Sequence, residues 1–197
     1  MRASLRSDAG FSLIDIVATV AITATVMAIA TPPLVNMVDQ YRLGNSLRTV
    51  ERQMQFAKLK AVSSQSAMRL RFNCPVVGQI RVVELIGTPA VPDPVQDPDS
   101  YTTRCNETTY PYKPTGSDSS RLTKPNNDGP VALLDSSVTV TSSTTLEFWP
   151  DGSVHAANGG ANPWPNIGTA GVTITLTRKG VSKNIVVNGL GKIQMDR

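Results

Sequence analysis

From Phe11 to Ala30 the chain reads FSLIDIVATVAITATVMAIA, twenty positions with a single ionisable side chain, Asp15. As a helix rising about 1.5 Å per residue this run reaches about 30 Å, enough to cross the hydrocarbon core of a bilayer. Pro32-Pro33 follows, where two missing backbone donors are expected to kink or locally melt the helix. Beyond it Leu43, Leu47, Val50, Met54, Ala57 and Ala61 recur at spacings of three and four, one apolar stripe on a helix running to about Gln65. Arg48, Glu51, Arg52, Lys58 and Lys60 fall on the other face. So narrow a stripe needs a surface to lie on, most simply a sheet.

Period-two patterning supplies it. In Met68-Arg69-Leu70-Arg71-Phe72 apolar residues alternate with arginines. A turn over Asn73 to Gly78 then leads into Gln79-Ile80-Arg81-Val82-Val83-Glu84-Leu85-Ile86, which predicts an antiparallel hairpin with Cys74 at its tip. From Gly87 to Pro130 Pro, Asp, Ser, Thr and Asn dominate and no period persists, which predicts a long surface loop pinned at Cys105. Strands are expected again at about Val131–Val140, Thr144–Trp149, Ser153–Ala157, Val172–Lys179 and Ser182–Met195, with a loop from Asn158 to Gly171. The predicted class is α+β: a long N-terminal helix, its first half transmembrane, packed on a C-terminal antiparallel sheet domain. At 197 residues the chain has room for one such domain and an anchor.

Composition narrows the picture further. Aromatic content of 5% and charged content of 17% leave the core to Val, Leu, Ile and Ala. The net charge of +4 is small and dispersed. Cys74 and Cys105 form no metal-binding cluster; outside a reducing compartment they would pair as a disulfide, and inside one they would be two free thiols. His155 is the one histidine, and no nucleophile elbow accompanies it. Gly189-Leu190-Gly191-Lys192 lacks the spacing of a phosphate loop and reads as a turn between strands. Asn106-Glu107-Thr108 fits a glycosylation sequon by chance. No catalytic residue, metal or cofactor is expected.

Asp15 is the exception that demands an explanation, since an unpaired carboxylate at such depth costs a few kcal/mol. Cleavage after Gly10 would create a cationic amine on Phe11, four residues away, able to meet Asp15 of a neighbouring copy. Arg2 and Arg6, in the polar stretch 1–10, are expected to hold the N-terminal side in the cytoplasm. An uncleaved anchor and a secretory signal cut after Ala28-Ile29-Ala30 are the alternatives.

Gly10 followed by Phe11-Ser12-Leu13-Ile14-Asp15-Ile16 resembles the processing motif of type IV pilins and type II secretion pseudopilins. That resemblance implies cleavage by prepilin peptidase between Gly10 and Phe11 and methylation of Phe11. It makes Asp15 the acidic residue that pairs with a neighbour's amine, where the family normally carries the longer Glu. The stretch Leu146-Glu147-Phe148-Trp149-Pro150-Asp151-Gly152-Ser153 and the later Val172–Lys179, Ile185-Val186-Val187 and Gly191-Lys192-Ile193 resemble the C-terminal half of GspH/FimT-type minor pilins. The implied organisation is a leader at 1–10, a membrane and filament-core helix at 11–37, and a periplasmic head at 38–197 on a single-pass inner-membrane protein.

The implied function is structural: a minor subunit of a type IV pilus or a type II secretion pseudopilus, at its tip or in priming. Its partners would be the peptidase, major and minor pilins and the inner-membrane assembly platform. Some FimT-type pilins bind DNA, which makes Arg178, Lys179, Lys183 and Lys192 a candidate DNA surface, although the family's arginine pair stands here as Lys192 and Gln194. A secreted binding domain released after Ala30 is the remaining alternative.

Overall fold

The structure, a computed structural model, describes residues 12–86, 102–110, 112, 127–142, 144–157 and 163–195. Among them one helix, α1 (Leu13–Ser64), precedes the strands β1 (Met68–Phe72), β2 (Gln79–Glu84), β3 (Ala132–Leu133), β4 (Thr139–Ser142), β5 (Leu146–Phe148), β6 (Val154–Ala156), β7 (Val172–Arg178), β8 (Val181–Val187) and β9 (Ile193–Met195). A 3-10 turn, Thr102–Cys105, lies between β2 and β3. The chain divides into two compact units, Met1–Asp39 and Gln40–Arg197. The fold is α+β, with every strand pairing antiparallel.

In the unit Gln40–Arg197 the strands form two sheets rather than one, in the orders β3-β2-β1-β5-β6 and β4-β7-β8-β9. The stripe Leu43, Leu47, Val50, Met54, Ala57 and Ala61 is buried along its whole length. It joins one core with Met68, Leu70, Ile80, Val82, Leu146, Phe148 and Val154 of the first sheet and Ile174, Leu176, Ile185 and Val187 of the second. Burying each of the larger side chains contributes on the order of 1.5–3 kcal/mol, so packing far outweighs the intrinsic helix propensity of this segment.

Local chemistry sets the turns. Lys179 (φ 48°) and Gly180 (φ 82°) make a two-residue link from β7 to β8 with both central residues left-handed, the geometry that matches strand twist. Gly191 (φ 70°) sits where a Cβ would meet the Lys58 ammonium at 2.8 Å, and Lys58 Nζ donates to the carbonyls of Leu190 and Gly191. Lys58, expected on a solvated face, therefore fastens the β8–β9 turn to α1.

Four expectations change. The segment expected as one strand over 131–140 is broken at 134–138 into β3 and β4, which belong to different sheets; Ser137 (φ 65°) marks the break. The segment expected over 182–195 is likewise two strands, β8 and β9, around the 188–192 turn. α1 runs through Pro32-Pro33 without local melting.

The fourth concerns the loop. Of the segment 87–130, residues 87–101, 111 and 113–126 lie outside the described residues. The described parts are not simple surface: Arg104, Cys105 and Asp128 are buried, and Gly129 N–H donates to Val82 C=O at 2.8 Å. Cys105 is bonded to Cys74 at the hairpin tip, 31 residues away, so the loop is pinned as expected.

In the chain-entropy account, closing a loop of that length limits the unfolded state by roughly 3–4 kcal/mol. Replacing both Cys74 and Cys105 by Ser is expected to lower the unfolding free energy of the chain by about that amount in denaturant titration, leaving β7–β8 intact.

Candidate functional site

The candidate assembly site is built on the first part of α1. Ser12 and Asp15 close a reciprocal cap: Ile14 N–H donates to Ser12 Oγ (3.4 Å), and Ser12 N–H donates to Asp15 Oδ2 (3.2 Å). A carboxylate in the first turn also meets the positive end of the helix dipole. Asp15 thus has a partner within its own chain, which the charge-pairing argument alone overlooked. The signal was legible in Ser12-Leu13-Ile14-Asp15, the S-x-x-D pattern of a capping box.

The threonines of the run are equally self-contained. Thr19 donates its hydroxyl to the Ile16 carbonyl, Thr23 to Thr19, Thr25 to Ala21 and Thr31 to Met27, at 2.6 to 2.8 Å. Hydroxyls spent on the helix backbone leave the flanks apolar. Among the described residues nothing covers those flanks: Leu13, Ile14, Ile16, Val17, Val20, Ile22, Val26, Met27, Ile29, Leu34, Val35, Met37 and Val38 are all exposed. The helix is long and apolar enough to cross a membrane. A contiguous apolar face of this size marks a surface meant for lipid or for other protein. Gly10 and Phe11 lie outside the described residues.

A second cluster of charged groups lies inside the sheet unit. The arginines of β1 and β2, which an alternating strand would present to water, are covered: Arg69 is 1% exposed and Arg81 0%. Neighbouring strands place Val83, Arg69, Glu147 and His155 side by side across the first sheet. Arg69 donates through Nε and Nη2 to Glu147 Oε1 (3.1 and 2.5 Å), its guanidinium stacks on Trp164 with 4.3 Å to the ring centroid, and Trp149 Nε1 donates to Glu147 Oε2 at 3.3 Å. Burial pushes the Glu147 carboxyl above its ordinary range, and Arg69 opposes that rise.

Beside it, Arg81 donates to three carbonyls, those of Gly129 (2.9 Å), Arg104 (2.8 Å) and Tyr110. Arg104 pairs with Asp128, and Asp128 accepts from the Glu84 backbone N–H at 2.8 Å. Desolvation pulls the Arg81 guanidinium below its usual value, and the Asp128 charge offsets part of that. These groups fasten the 102–110 and 127–130 segments onto the sheet. They are closed to a substrate.

No protein-family model, no curated protein and no solved structure matches this chain. Its chemistry is therefore judged from its own residues. His155 Nε2 lies 3.0 Å from Ser153 Oγ, and its Nδ1 lies 2.7 Å from the Trp164 carbonyl. Ser153 Oγ also donates to Asp151 Oδ1 (2.6 Å), and these hydrogen bonds hold the Asp151 carboxyl below its ordinary range. The Ser153 hydroxyl is committed to the turn that Asp151 and Gly152 (φ 83°) make between β5 and β6. Among the described residues no group of three or more His, Cys, Asp or Glu is placed to hold a metal ion.

The four residues of the candidate DNA surface do not come together. Arg178 is buried and donates to the Ser136 carbonyl, so it is withdrawn from any surface cluster. Lys179 lies in the turn before β8 and Lys192 just before β9, at opposite ends of a strand about 20 Å long, while Lys183 pairs with Leu176 on the core-facing side.

Removing one partner of a buried ion pair strands the other, at about 3–5 kcal/mol, whereas replacing both with apolar groups is far cheaper. Arg69→Met and Glu147→Leu are each expected to cost that much in urea unfolding, and the double variant clearly less than the sum of the two. Additive losses would show that the pair is not coupled.

Proposed function

We propose that the chain is a minor pilin or pseudopilin-type subunit, anchored in a membrane by the first part of α1 and drawn into a filament through that same helix. The observation that carries this reading is an apolar helix segment, exposed among the described residues, whose first turn holds the carboxylate of Asp15 shortly after Gly10-Phe11. A single long N-terminal apolar helix joined to an antiparallel sheet unit is compatible with pilin-like architecture.

In this reading prepilin peptidase cuts between Gly10 and Phe11 and methylates the new terminus. The amine then lies within a turn of Asp15 in sequence and at matching depth in an adjacent helix. Asp15 serves twice, as acceptor for the Ser12 N–H and as countercharge to a neighbour's Phe11 ammonium. The role is architectural, with the head at the filament tip or in a priming complex, and the chain catalyses no reaction of its own. Arg2 and Arg6 would keep the leader cytoplasmic and leave the sheet unit in the periplasm, where Cys74 and Cys105 oxidise.

Two measurements test it. Mass spectrometry of protein purified from its native membrane is expected to find a methylated Phe11 as the first residue; retention of Met1, or a start at Thr31, would contradict processing of this kind. Asp15→Asn keeps an acceptor for Ser12 and removes the charge. It is expected to lower incorporation into filaments at least tenfold while Asp15→Glu restores it, and normal incorporation of the Asn variant would remove charge pairing from the account.

A further inference from the structure

The second sheet ends at β9, three residues long, and the β9 side of α1 is left partly bare. Two grooves lie end to end along this seam. One, of about 390 Å³, is lined by Tyr41, Gly44, Asn45, Leu47, Arg48, Lys183 and Met195. The other, of about 350 Å³, is lined by Gln55, Lys58, Leu59, Gly191 and Ile193. From Tyr41 to Leu59 they follow α1 for about 27 Å. Tyr41, Leu59 and Met195 are exposed along them, and a Cβ built on Gly44 would meet nothing within 4 Å.

The backbone of β9 is in phase with these grooves. Asn188 N–H donates to Lys192 C=O at 3.1 Å, and the β8–β9 register pairs Val187 with Ile193, Val186 with Gln194 and Ile185 with Met195. Antiparallel pairs alternate between bonded and non-bonded, so Gln194 turns its N–H and C=O toward β8. Ile193 and Met195 turn theirs away from β8, to an edge that no described strand occupies, while their side chains line the grooves. An edge of this kind is a template for another strand.

We propose that the edge of β9 opposite β8 accepts an extended, acidic segment of another polypeptide, which adds a fifth strand to the second sheet and lays alternate side chains, apolar and acidic, into the α1–β9 grooves. Charge selects the partner. Arg48 and Lys183 line the first groove, where no carboxylate of a described residue does; Lys58, in the second, is held by the Leu190 and Gly191 carbonyls. A strand whose groove-facing positions carry both apolar residues and Asp or Glu satisfies both, whereas a basic strand is repelled. This goes beyond the filament reading and stands independently of it, because neither leader processing nor the apolar part of α1 enters the argument.

A short strand binds weakly, so the test tethers it to raise its effective concentration. In the 197-residue chain in detergent micelles, a Gly-Asn-Gly-Ser linker and the strand Val-Thr-Asp-Thr-Val-Thr-Asp, which carries Val and Asp on one face, are appended after Arg197. Parallel variants carry Lys in place of both added Asp residues, or Pro in place of the central added Thr. Amide hydrogen exchange at Ile193 and Met195 is followed, with Ile174 and Leu176 reporting that the sheet is intact.

The acidic strand is expected to slow exchange at Ile193 and Met195 at least tenfold, the Pro strand to leave it unchanged, and the Lys strand to give less than a third of that protection. Gly44→Trp, which fills the groove at a helical position where Gly is unfavourable, is expected to abolish the protection by the acidic strand with the fold retained. Unchanged exchange with the acidic strand would overturn the acceptor site. Equal protection by the Lys strand would overturn its acidic selectivity.

Discussion

An apolar helix surface must be covered by something, and α1 meets that constraint in two different ways along its length. From Leu43 to Ala61 the cover is supplied by the chain itself, through two antiparallel sheets that bury the stripe. From Leu13 to Val38 its large apolar side chains are exposed among the described residues. The remaining features of that segment follow from the same constraint. Its threonine hydroxyls are returned to the helix backbone, and its one carboxylate is tied into the N-terminal cap, so that little polar surface is left on the flanks. Both devices also occur in water-facing helices, where water could serve the same groups instead. A helix surrounded by lipid or by other apolar helices needs both.

The sheet unit solves a different problem. With few aromatic residues the core is built from medium-sized aliphatic side chains, and the outer face of the first sheet is closed by a layer of paired charges instead of by water. Arg69 with Glu147 under Trp164, Arg81 on three carbonyls and Arg104 with Asp128 attach irregular segments to β1 and β2. Buried pairs of this kind give little net stability but penalise every arrangement that leaves a charge alone, which is a means of fixing loops that lack a hydrophobic pattern of their own. The disulfide between Cys74 and Cys105 acts on the same segments by covalent means.

What could be read from the sequence was whatever depends on period and on short-range chemistry. The stripe from Leu43 to Ala61, the β1–β2 hairpin, the β7 and β8 strands and the turn at 189–191 all carry local signals strong enough to stand alone. The losses were long-range. Nothing local to Arg69 and Arg81 announces that Trp164, Gly129 and Tyr110 arrive from far along the chain to meet them. The 131–140 segment read as one strand because its β-propensity is continuous, and only the pairing of its two ends with different sheets divides it. Of the candidate site, Asp15 was found as an anomaly, while its cap on Ser12 was visible in the spacing and was passed over. The basic residues 178, 179, 183 and 192 looked like a cluster in sequence because alternation and strand length, which separate them, are not apparent in a count of charges.

The central claim, that the first part of α1 is shielded by lipid or neighbouring helices, is tested most directly by labelling in native membranes with a membrane-impermeant maleimide. The account predicts that a cysteine placed at Ala24 reacts at least a hundredfold more slowly than one placed at Ser63 in the sheet unit. Comparable rates at the two positions would show that the apolar segment stands in water, and would contradict it.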